Sequence, residues 1–278
     1  MIVVTGVNGM IGREVLNQLS SVGVQVLSIS RDVFDLSEGK NLTTFINERP
    51  SAIIHLAAAV PHSLHYPDNE ISSDLTRRID KCVYDAARVW NCRVVYASTC
   101  SLYDKSTEEV KSEVSSICPR LDSAYLKAKI EGEHIFSQLD SYALMRLPAP
   151  IGPELPKKVV AKFFFDLACK GMSITLWGSG LREQNYVDVS DIANAMIKAA
   201  YSNVKGAFNI AADAPTTMKM LATSIVNIVG RGRVEFVDKP DPLEYERARY
   251  FNGRARSMLN WYPVTSLEKS INSMLKQL

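Results

Sequence analysis

The chain reads Met1-Ile2-Val3-Val4-Thr5-Gly6-Val7-Asn8-Gly9-Met10-Ile11-Gly12, and this stretch decides its fold. The apolar start predicts a strand, and Ile11, Val15 and Leu19 then recur at helical spacing. In such a strand–turn–helix unit, glycines permit the sharp turn, the approach of backbone N–H groups to a pyrophosphate, and close packing of the helix. A glycine triplet by itself is a weak signal, but the flanking strand and helix favour dinucleotide binding over an ordinary turn. The predicted phosphate site is formed by Gly6, Asn8, Gly9, Met10, Ile11 and Gly12.

Length and composition restrict the class of protein. The 278 residues suffice for one large domain or one domain with a lobe. A net charge of +2, without a basic stripe, argues against nucleic acid or an anionic membrane as main partner. No apolar run is long enough to span a bilayer, and we expect no targeting peptide. The five cysteines are odd in number and lack CxxC spacing, so we expect free thiols, no metal site and a cytoplasmic protein.

The end of the second predicted strand, residues 24–29, bears on the choice of cofactor. A carboxylate at this point would bind the adenosine ribose, whereas an arginine would pair with a 2′-phosphate. Arg31 therefore favours NADP(H). Asp32 is the competing residue, because a shift of one position would put a carboxylate on the ribose and make NAD(H) the cofactor.

Strands and helices alternate through the first half of the chain. Further strands are predicted at 52–56, 93–97 and 142–146, and helices at about 38–48, 69–90 and 123–138. This alternation predicts an α/β fold with a doubly wound parallel sheet, the Rossmann arrangement. His55 lies inside an apolar strand, where a hydrogen-bonded core histidine is the expected role.

Polar side chains cluster where strand ends are expected to face a ligand crevice. Ser98-Thr99-Cys100-Ser101 follows the fourth strand. Tyr125 and Lys129 are four residues apart on a helix that Asp122 or Ser123 would cap. An ammonium beside a phenol lowers the pKa of the tyrosine, which makes the phenol usable in proton transfer near neutrality. A Tyr-x-x-x-Lys pair is common on surface helices, but beside the glycine turn and the hydroxyl cluster it indicates an active site.

Together these motifs resemble the extended short-chain dehydrogenase/reductases, a family of nucleotide-sugar epimerases, dehydratases and reductases. The matching residues run nearly end to end: Thr5-Gly6-x-x-Gly9-x-x-Gly12, His55-Leu56-Ala57-Ala58, Ser98-Thr99-x-x-x-Tyr103, Tyr125-x-x-x-Lys129, Gly152-Pro153, Trp177-Gly178-Ser179-Gly180 through Val187-x-Val189-x-Asp191, and Leu259-Asn260-Trp261-Tyr262-Pro263.

The resemblance implies roles for particular residues. Tyr125 would be the acid/base, Lys129 would orient it and bind the nicotinamide ribose, and Thr99 would hydrogen-bond the reacting sugar oxygen. Besides the glycine turn and Arg31, the implied cofactor contacts are Asp35, Leu36, Leu56, Ala57, Ala58 and Lys129.

The resemblance also implies an organisation in two parts. Residues 1–149 and 185–211 would form the dinucleotide-binding domain, and residues 150–184 and 212–278 a smaller, discontinuous substrate lobe. A nucleotide-activated sugar would bind in the crevice between them. A homodimer is expected on the same ground.

Three departures from the family pattern narrow the activity. Sugar 4,6-dehydratases carry Asp-Glu where this chain has Cys100-Ser101, so dehydration is not expected. Cys100 is also one residue away from the place of the thiol acid in fucose-forming epimerase/reductases, and we interpret it as an ordinary small residue. Gln184 stands where many members hold the substrate diphosphate with an arginine. We therefore expect Arg182 to take that role, and Ser101 to contact the substrate.

The first hypothesis is an NAD(P)H-dependent reductase of a nucleotide-activated 4-keto-deoxysugar. A nucleotide-sugar 4-epimerase with retained NAD uses the same three catalytic residues and is the main alternative. A dinucleotide-sensing protein without catalysis is the third, and such proteins typically lose the tyrosine or the lysine.

Overall fold

The computed structural model describes residues 1–61, 68–117 and 123–277. The elements of the first half are β1 Ile2–Thr5, α1 Met10–Ser21, β2 Val26–Ile29, α2 Leu42–Phe45, β3 Ala52–His55, α3 Glu70–Trp90, β4 Arg93–Thr99, α4 Ala124–Phe136 and β5 Tyr142–Leu147. Those of the second half are β6 Ala149–Ile151, α5 Val160–Cys169, β7 Ser173–Trp177, β8 Glu183–Gln184, β9 Tyr186–Asp188, α6 Val189–Tyr201, β10 Gly206–Asn209, β11 Thr216–Thr217, α7 Met218–Val229, β12 Arg233–Val237, α8 Gly253–Leu259 and α9 Leu267–Leu275. Among the helices of the described ranges, none is long and apolar enough to cross a membrane.

The centre of the molecule is a six-stranded parallel sheet in the order β10-β5-β4-β3-β1-β2. Helices cover both faces, which explains why its strands are apolar on both sides. On one face α1 and α6 pack through residues such as Val15 and Ile192. On the other face α3 and α4 pack through residues such as Val83 and Phe136. The predicted α/β fold with a doubly wound parallel sheet is confirmed.

The strand order places a crevice at the carboxyl end of β1. Thr5 pairs with Ile29 of β2 on one side and with His55 of β3 on the other. The chain leaves β1 toward β2 and later returns to the opposite side of β1 as β3. Ligands of open α/β sheets bind at such a reversal of strand order. The glycine turn begins at this point, directly after Thr5.

The helix predicted at about 38–48 is much shorter in the structure, where α2 spans only Leu42–Phe45. Gly39 has a φ of +72°, in the left-handed region, so a right-handed helix does not pass through it. The Asn41 side chain then caps α2 by accepting a hydrogen bond from the Thr43 N–H at 3.0 Å. Ile46 is already extended, which ends the helix after one turn.

A third hydrophobic core lies outside the two faces of the sheet. Its buried side chains come from α5, α7 and α9 together with β7, and include Phe165, Leu221 and Ile271. Small two-stranded sheets accompany it, with β7 parallel to β12, β6 parallel to β9, and β8 antiparallel to β11. β10 returns to the large sheet beside β5. The boundaries 150–184 and 212–278 for a substrate lobe remain a prediction.

Candidate active site

The glycine turn closes tightly between β1 and α1. Gly6 has a φ of +72°, and a Cβ there would lie 2.6 Å from the backbone nitrogen of Ala57. A Cβ on Gly12 would overlap the carbonyl oxygen of Gly6. A larger residue at Gly6 would push the turn away from the segment after β3, and one at Gly12 would push α1 away from the turn.

The N-terminus of α1 suits an anion. Gly9 is the N-cap residue, and no side chain of the described residues caps the helix there. The first N–H groups, including those of Met10 and Ile11, consequently lack partners within the helix. They lie at the crevice, where a helix N-terminus binds phosphate. These features fit the pyrophosphate of a dinucleotide.

Neighbouring chain segments line the turn. Leu56, Ala57 and Ala58 follow β3, and the N–H groups of the first two each donate to Thr5 Oγ1 at 3.2 Å. The exposed Asn8 accepts a hydrogen bond from Arg13 through its carbonyl oxygen.

Arg13 is a residue of the turn region that the sequence reasoning missed. Its guanidinium contacts Asn8 and also pairs with Glu154 at 2.5 Å. It thus places a cation beside the phosphate site. Its place in the first turn of α1 was a weak signal for this role.

The residues expected at the adenosine end follow β2. Arg31 is largely exposed and lies 3.9 Å from Asp35, and Asp32 is exposed beside it. The Ser37 hydroxyl donates to Asp35 at 2.6 Å and holds the pKa of that carboxyl below its usual value. Leu36 is buried. The structure brings Arg31, Asp32 and Asp35 to one cavity of about 550 Å³.

Lys129 and Tyr125 lie against the end of β4. The Lys129 ammonium donates to the Ala97 carbonyl at 2.8 Å and lies 5.9 Å from the centre of the Tyr125 ring. Because β4 and β5 are parallel, the connecting helix α4 runs in the opposite direction. One turn back along α4 from Lys129 covers about 6 Å. Two residues along β4, from Ala97 to Thr99, cover about 7 Å. Tyr125 and Thr99 therefore reach the same level at the crevice.

The start of α4 is held by two acceptors. Ser123 caps the helix by accepting from the Leu126 N–H at 3.2 Å. Asp68 accepts from the Tyr125 N–H and from the Ser123 hydroxyl, both at 2.8 Å. Asp122, the other expected cap, lies outside the described residues. Nothing in the sequence pattern pointed to Asp68, which is 57 residues away from Tyr125.

The pKa of Tyr125 differs from the expectation. Burial raises the pKa of Tyr125 well above its usual value, and the charges of Asp80 and Asp68 add to this. The Lys129 ammonium donates its hydrogen bonds to the Ala97 carbonyl and the Tyr96 hydroxyl rather than to Tyr125. Burial also lowers the pKa of Lys129, against opposite contributions from Asp80 and Glu133. A tyrosine is a neutral phenol at pH 7 already at its usual pKa, and burial strengthens this form, which suits a proton donor.

The residues after β4 form a 3₁₀ turn, Cys100–Leu102, in which Ser101 is exposed and Cys100 is buried. Thr99 Oγ1 accepts from the N–H of the exposed Ser101 at 3.1 Å. Cys100 is buried and donates through Sγ to the Arg146 carbonyl at 3.1 Å. Burial raises the pKa of the Cys100 thiol far above its usual range. This agrees with the interpretation of Cys100 as a small packing residue.

A buried ionic cluster lies beneath this turn. Glu133 on α4 accepts two hydrogen bonds from the Arg146 guanidinium of β5, at 2.9 and 2.7 Å. It also accepts from the Ser98 hydroxyl at 2.5 Å. Arg146 donates to the hydroxyl of Tyr103 at 2.6 Å, and Tyr103 donates to Asn209 at 2.8 Å. The cluster ties α4 to the strand ends, and the sequence reasoning did not identify it.

The two expected substrate residues lie in different elements. Ser101 is at the end of β4, and Arg182 immediately precedes β8, with its guanidinium 3.5 Å from Asp241. The neighbouring Glu183 is buried and pairs with Arg249 at 2.6 Å. Arg249 thus brings a cation from a distant segment to the strand that holds Gln184, and spacing gave no sign of it. Substrate binding by Ser101 and Arg182 remains a prediction.

Comparison with known proteins finds similar sequences and structures that span nearly the whole chain. The UDP-glucose 4-epimerase of Mycolicibacterium smegmatis is 26% identical over 305 residues, covering 96% of this chain and 95% of the relative. The crystal structure of the Thermus thermophilus UDP-glucose 4-epimerase with NAD matches with a TM-score of 0.85 at 21% identity, covering 99% of this chain and 97% of that chain. A GDP-6-OMe-4-keto-L-xylo-heptose reductase from C. jejuni matches with a TM-score of 0.84 at 17% identity, covering 99% and 96%.

The structural matches, at these identities, show a shared fold. The family is shown by a sequence model for the NAD dependent epimerase/dehydratase family, which matches residues 2–211. This confirms the resemblance drawn from the motifs. The chain belongs to the NAD dependent epimerase/dehydratase family and is an enzyme of the extended short-chain dehydrogenase type.

Proposed function

We propose that this enzyme is a reductase of a nucleotide-activated 4-keto-deoxysugar and that NADPH is its preferred reductant. The observation that carries the proposal is the phenol of Tyr125 held beside Lys129 at the end of β4. A reduction at neutral pH needs a proton donor at this place, and a phenol with a raised pKa keeps its proton until charge develops on the substrate oxygen.

The cofactor would be held by the chain's own backbone and by few side chains. The N-terminus of α1, framed by Gly6, Gly9 and Gly12, would bind the pyrophosphate. Arg31 would pair with a 2′-phosphate, and Lys129 would contact the nicotinamide ribose. When bound, the dinucleotide supplies a hydride to the carbonyl carbon of the sugar.

Each catalytic residue then has one task. Tyr125 gives its proton to the carbonyl oxygen as that oxygen gains negative charge, so the product is an alcohol. Thr99 donates a hydrogen bond to the same oxygen. Lys129 keeps a positive charge close to Tyr125 and stabilises the phenolate that remains after the transfer. Each task depends on orientation, which α4 provides by carrying Tyr125 and Lys129 one turn apart.

The residues beside Thr99 argue against dehydration. Loss of water across C5–C6 needs a carboxylic acid and a base next to the catalytic threonine. Here Cys100 is buried with its thiol protonated, and Ser101 is an exposed hydroxyl. Neither group protonates a leaving hydroxyl at neutral pH. A substrate that already carries the 4-keto group fits this site better.

A 4-epimerase is the second candidate. It is favoured by the relative from Mycolicibacterium smegmatis, a UDP-glucose 4-epimerase similar to this chain over nearly the full length of both. An epimerase uses the same three residues, and Arg31, which favours an exchanging NADP(H) over a retained NAD, is the feature that separates the two candidates. The heptose reductase from C. jejuni, whose name gives a 4-keto substrate, is a structural neighbour with the chemistry that we propose.

The variant Tyr125→Phe tests the proposal. It removes the proton donor and leaves the ring, so we expect turnover of 4-keto-sugar nucleotides to fall by on the order of a thousandfold while dinucleotide affinity is kept. Consumption of NADPH and fluorescence titration of the cofactor measure the two quantities. Tyr201→Phe, at an exposed tyrosine on α6, is the matched control. Full activity in the Tyr125 variant would overturn the assignment.

A further inference from the structure

A continuous chain of buried hydrogen bonds runs from the glycine turn to Lys129. Thr5 Oγ1 contacts His55 Nδ1 at 2.7 Å, and His55 Nε2 contacts Asp80 Oδ1 at 3.0 Å. Tyr96 donates to Asp80 Oδ2 at 2.9 Å, and the Lys129 ammonium donates to the Tyr96 oxygen at 3.2 Å. These five residues come from five different elements, and each is at most 3% exposed. The reaction as described above does not use Asp80 or Tyr96.

The contacts assign the protons along this chain. Thr5 Oγ1 already accepts from the N–H groups of Leu56 and Ala57, so its own proton is donated to His55 Nδ1. His55 then carries its proton on Nε2 and donates it to Asp80. Asp80 accepts from Tyr96 as well. The Tyr96 oxygen is left as an acceptor, and Lys129 fills that position.

Asp80 is a buried carboxylate whose described partners, His55 and Tyr96, are both neutral in this arrangement. Burying a carboxylate without a compensating cation is costly. Lys129 is a buried cation one hydroxyl away, so the two charges compensate each other through Tyr96. Glu133, the other carboxylate near Lys129, is paired with Arg146.

Gly132 shows that the fold makes room for this arrangement. A Cβ at Gly132 would overlap the Tyr96 hydroxyl and would come within 2.6 Å of Asp80 Oδ2. Gly132 lies on α4, three residues after Lys129. The helix that carries the catalytic lysine therefore passes directly over the pair, and Phe136 closes it off with its ring 4.7 Å from that of Tyr96.

We propose that Asp80 is the counter-ion of Lys129, acting through the hydroxyl of Tyr96, and that this bridge holds the ammonium in place and protonated. Asp80 and Tyr96 are thus positioning residues that touch neither sugar nor cofactor. The inference rests on the proposed function only in taking Lys129 as the catalytic lysine.

The effect of a change in Asp80 on the pKa of Lys129 depends on the charged and titratable groups around the lysine. They are Tyr125 and Glu133 on α4, Tyr96 on β4, Asp80 on α3, His55 on β3, and Asp68, which faces Tyr125 from the segment before α3. Asp80 raises the pKa of Lys129, so its neutralisation lets the lysine lose its proton at lower pH. If the activity needs the ammonium, its loss on raising the pH then begins at a lower pH than in the wild-type enzyme.

The test is a pH titration of Lys129 in the cofactor-free protein. NMR of protein labelled with ¹³C at lysine Cε monitors the titration, and the variant Lys129→Met identifies the Lys129 signal. In Asp80→Asn we expect the midpoint of Lys129 to move to lower pH and the alkaline limb of kcat to move with it. Ser73→Ala, a buried change on α3 at a hydroxyl without a described partner, is the control. An unchanged Lys129 titration in a folded Asp80→Asn protein would overturn the proposal.

Tyr96→Phe keeps the test decisive if Asp80→Asn does not fold. It retains the carboxylate and removes the bridging hydroxyl, so the Lys129 midpoint should again fall. We expect kcat to drop by on the order of ten- to a hundredfold, with the KM for the sugar nearly unchanged, because the lysine loses its fixed position. A Tyr96→Phe enzyme with the wild-type Lys129 midpoint and kcat would contradict the proposal. The NMR midpoint needs no substrate, so a wrong sugar assignment does not affect it.

Discussion

Burial favours the protonated form of two residues of this site. Burial raises the pKa of both Cys100 and Tyr125, which strengthens the protonated form that a thiol and a phenol already prefer at neutral pH. Their contacts separate the roles. The Cys100 thiol donates into the backbone at Arg146, whereas Tyr125 stands at the crevice beside Lys129. The same physical effect thus acts on a packing residue in one case and on the proposed proton donor in the other.

Cys100→Ser tests this separation. A serine fits the space of the thiol and donates to the same Arg146 carbonyl, so we expect kcat to stay within about threefold of the wild-type value. The pH profile should not change. Steady-state kinetics across the pH range measure both quantities.

A large loss of kcat in Cys100→Ser would indicate that the thiol takes part in catalysis. If Cys100 served as an acid, its replacement would lower kcat by on the order of a hundredfold or more. Such a loss, in a protein with unchanged thermal unfolding, would revive the thiol-acid mechanism.

On the scale of elements, α4 carries both the proposed catalytic pair and a buried ion pair. Three of its residues face the interior in successive layers: Tyr125 at the crevice, Lys129 against β4, and Glu133 against Arg146 of β5. The Glu133–Arg146 pair fixes the height of the helix relative to the strands. Its removal leaves a buried guanidinium without its charge partner.

Glu133→Gln should lower the free energy of unfolding by about 3 kcal/mol, the usual result of breaking a buried ion pair. Glu131→Gln is a matched control two residues away on α4, where the carboxylate pairs with Arg77 at 2.5 Å but is 55% exposed. That change should cost about 1 kcal/mol or less. Urea unfolding at neutral pH measures the free energy of unfolding of both variants. An equal decrease in both would show that the buried ion pair stabilises the protein no more than the exposed one.

Local sequence patterns were sufficient to predict some of the elements and not others. The strand and helix around the glycine turn were predictable, because apolar periodicity and glycine spacing are local properties. The helix expected at 38–48 was not, because its limits depend on Gly39 and on the cap at Asn41. At α4 the Tyr125–Lys129 spacing predicted a shared face. The hydrogen bond from the Tyr125 N–H to Asp68 could not be predicted from the local sequence, because Asp68 lies in a distant part of the chain.

Considering the whole molecule, sheet order decides which residues meet. Asp80 is 25 residues from His55 and 16 from Tyr96, and these separations follow no motif. The parallel arrangement of β1, β3 and β4 with α3 and α4 packed beneath brings them together. Likewise, Arg249 reaches Glu183 across 66 residues. The sequence thus predicted the fold, and Thr99, Tyr125 and Lys129 stay predicted site residues; it did not point to the side chains that contact them.

The cofactor is the measurement that most directly tests the central claim, a net reductase that exchanges its dinucleotide at each turnover. The purified protein is denatured, any released dinucleotide is identified, and the emptied protein is titrated with NADPH and with NADH. We predict little bound dinucleotide, a preference for NADPH through Arg31, and consumption of one NADPH per 4-keto sugar reduced. Tightly held NAD, released only on denaturation and not consumed while 4-epimers interconvert, would contradict the account and identify an epimerase.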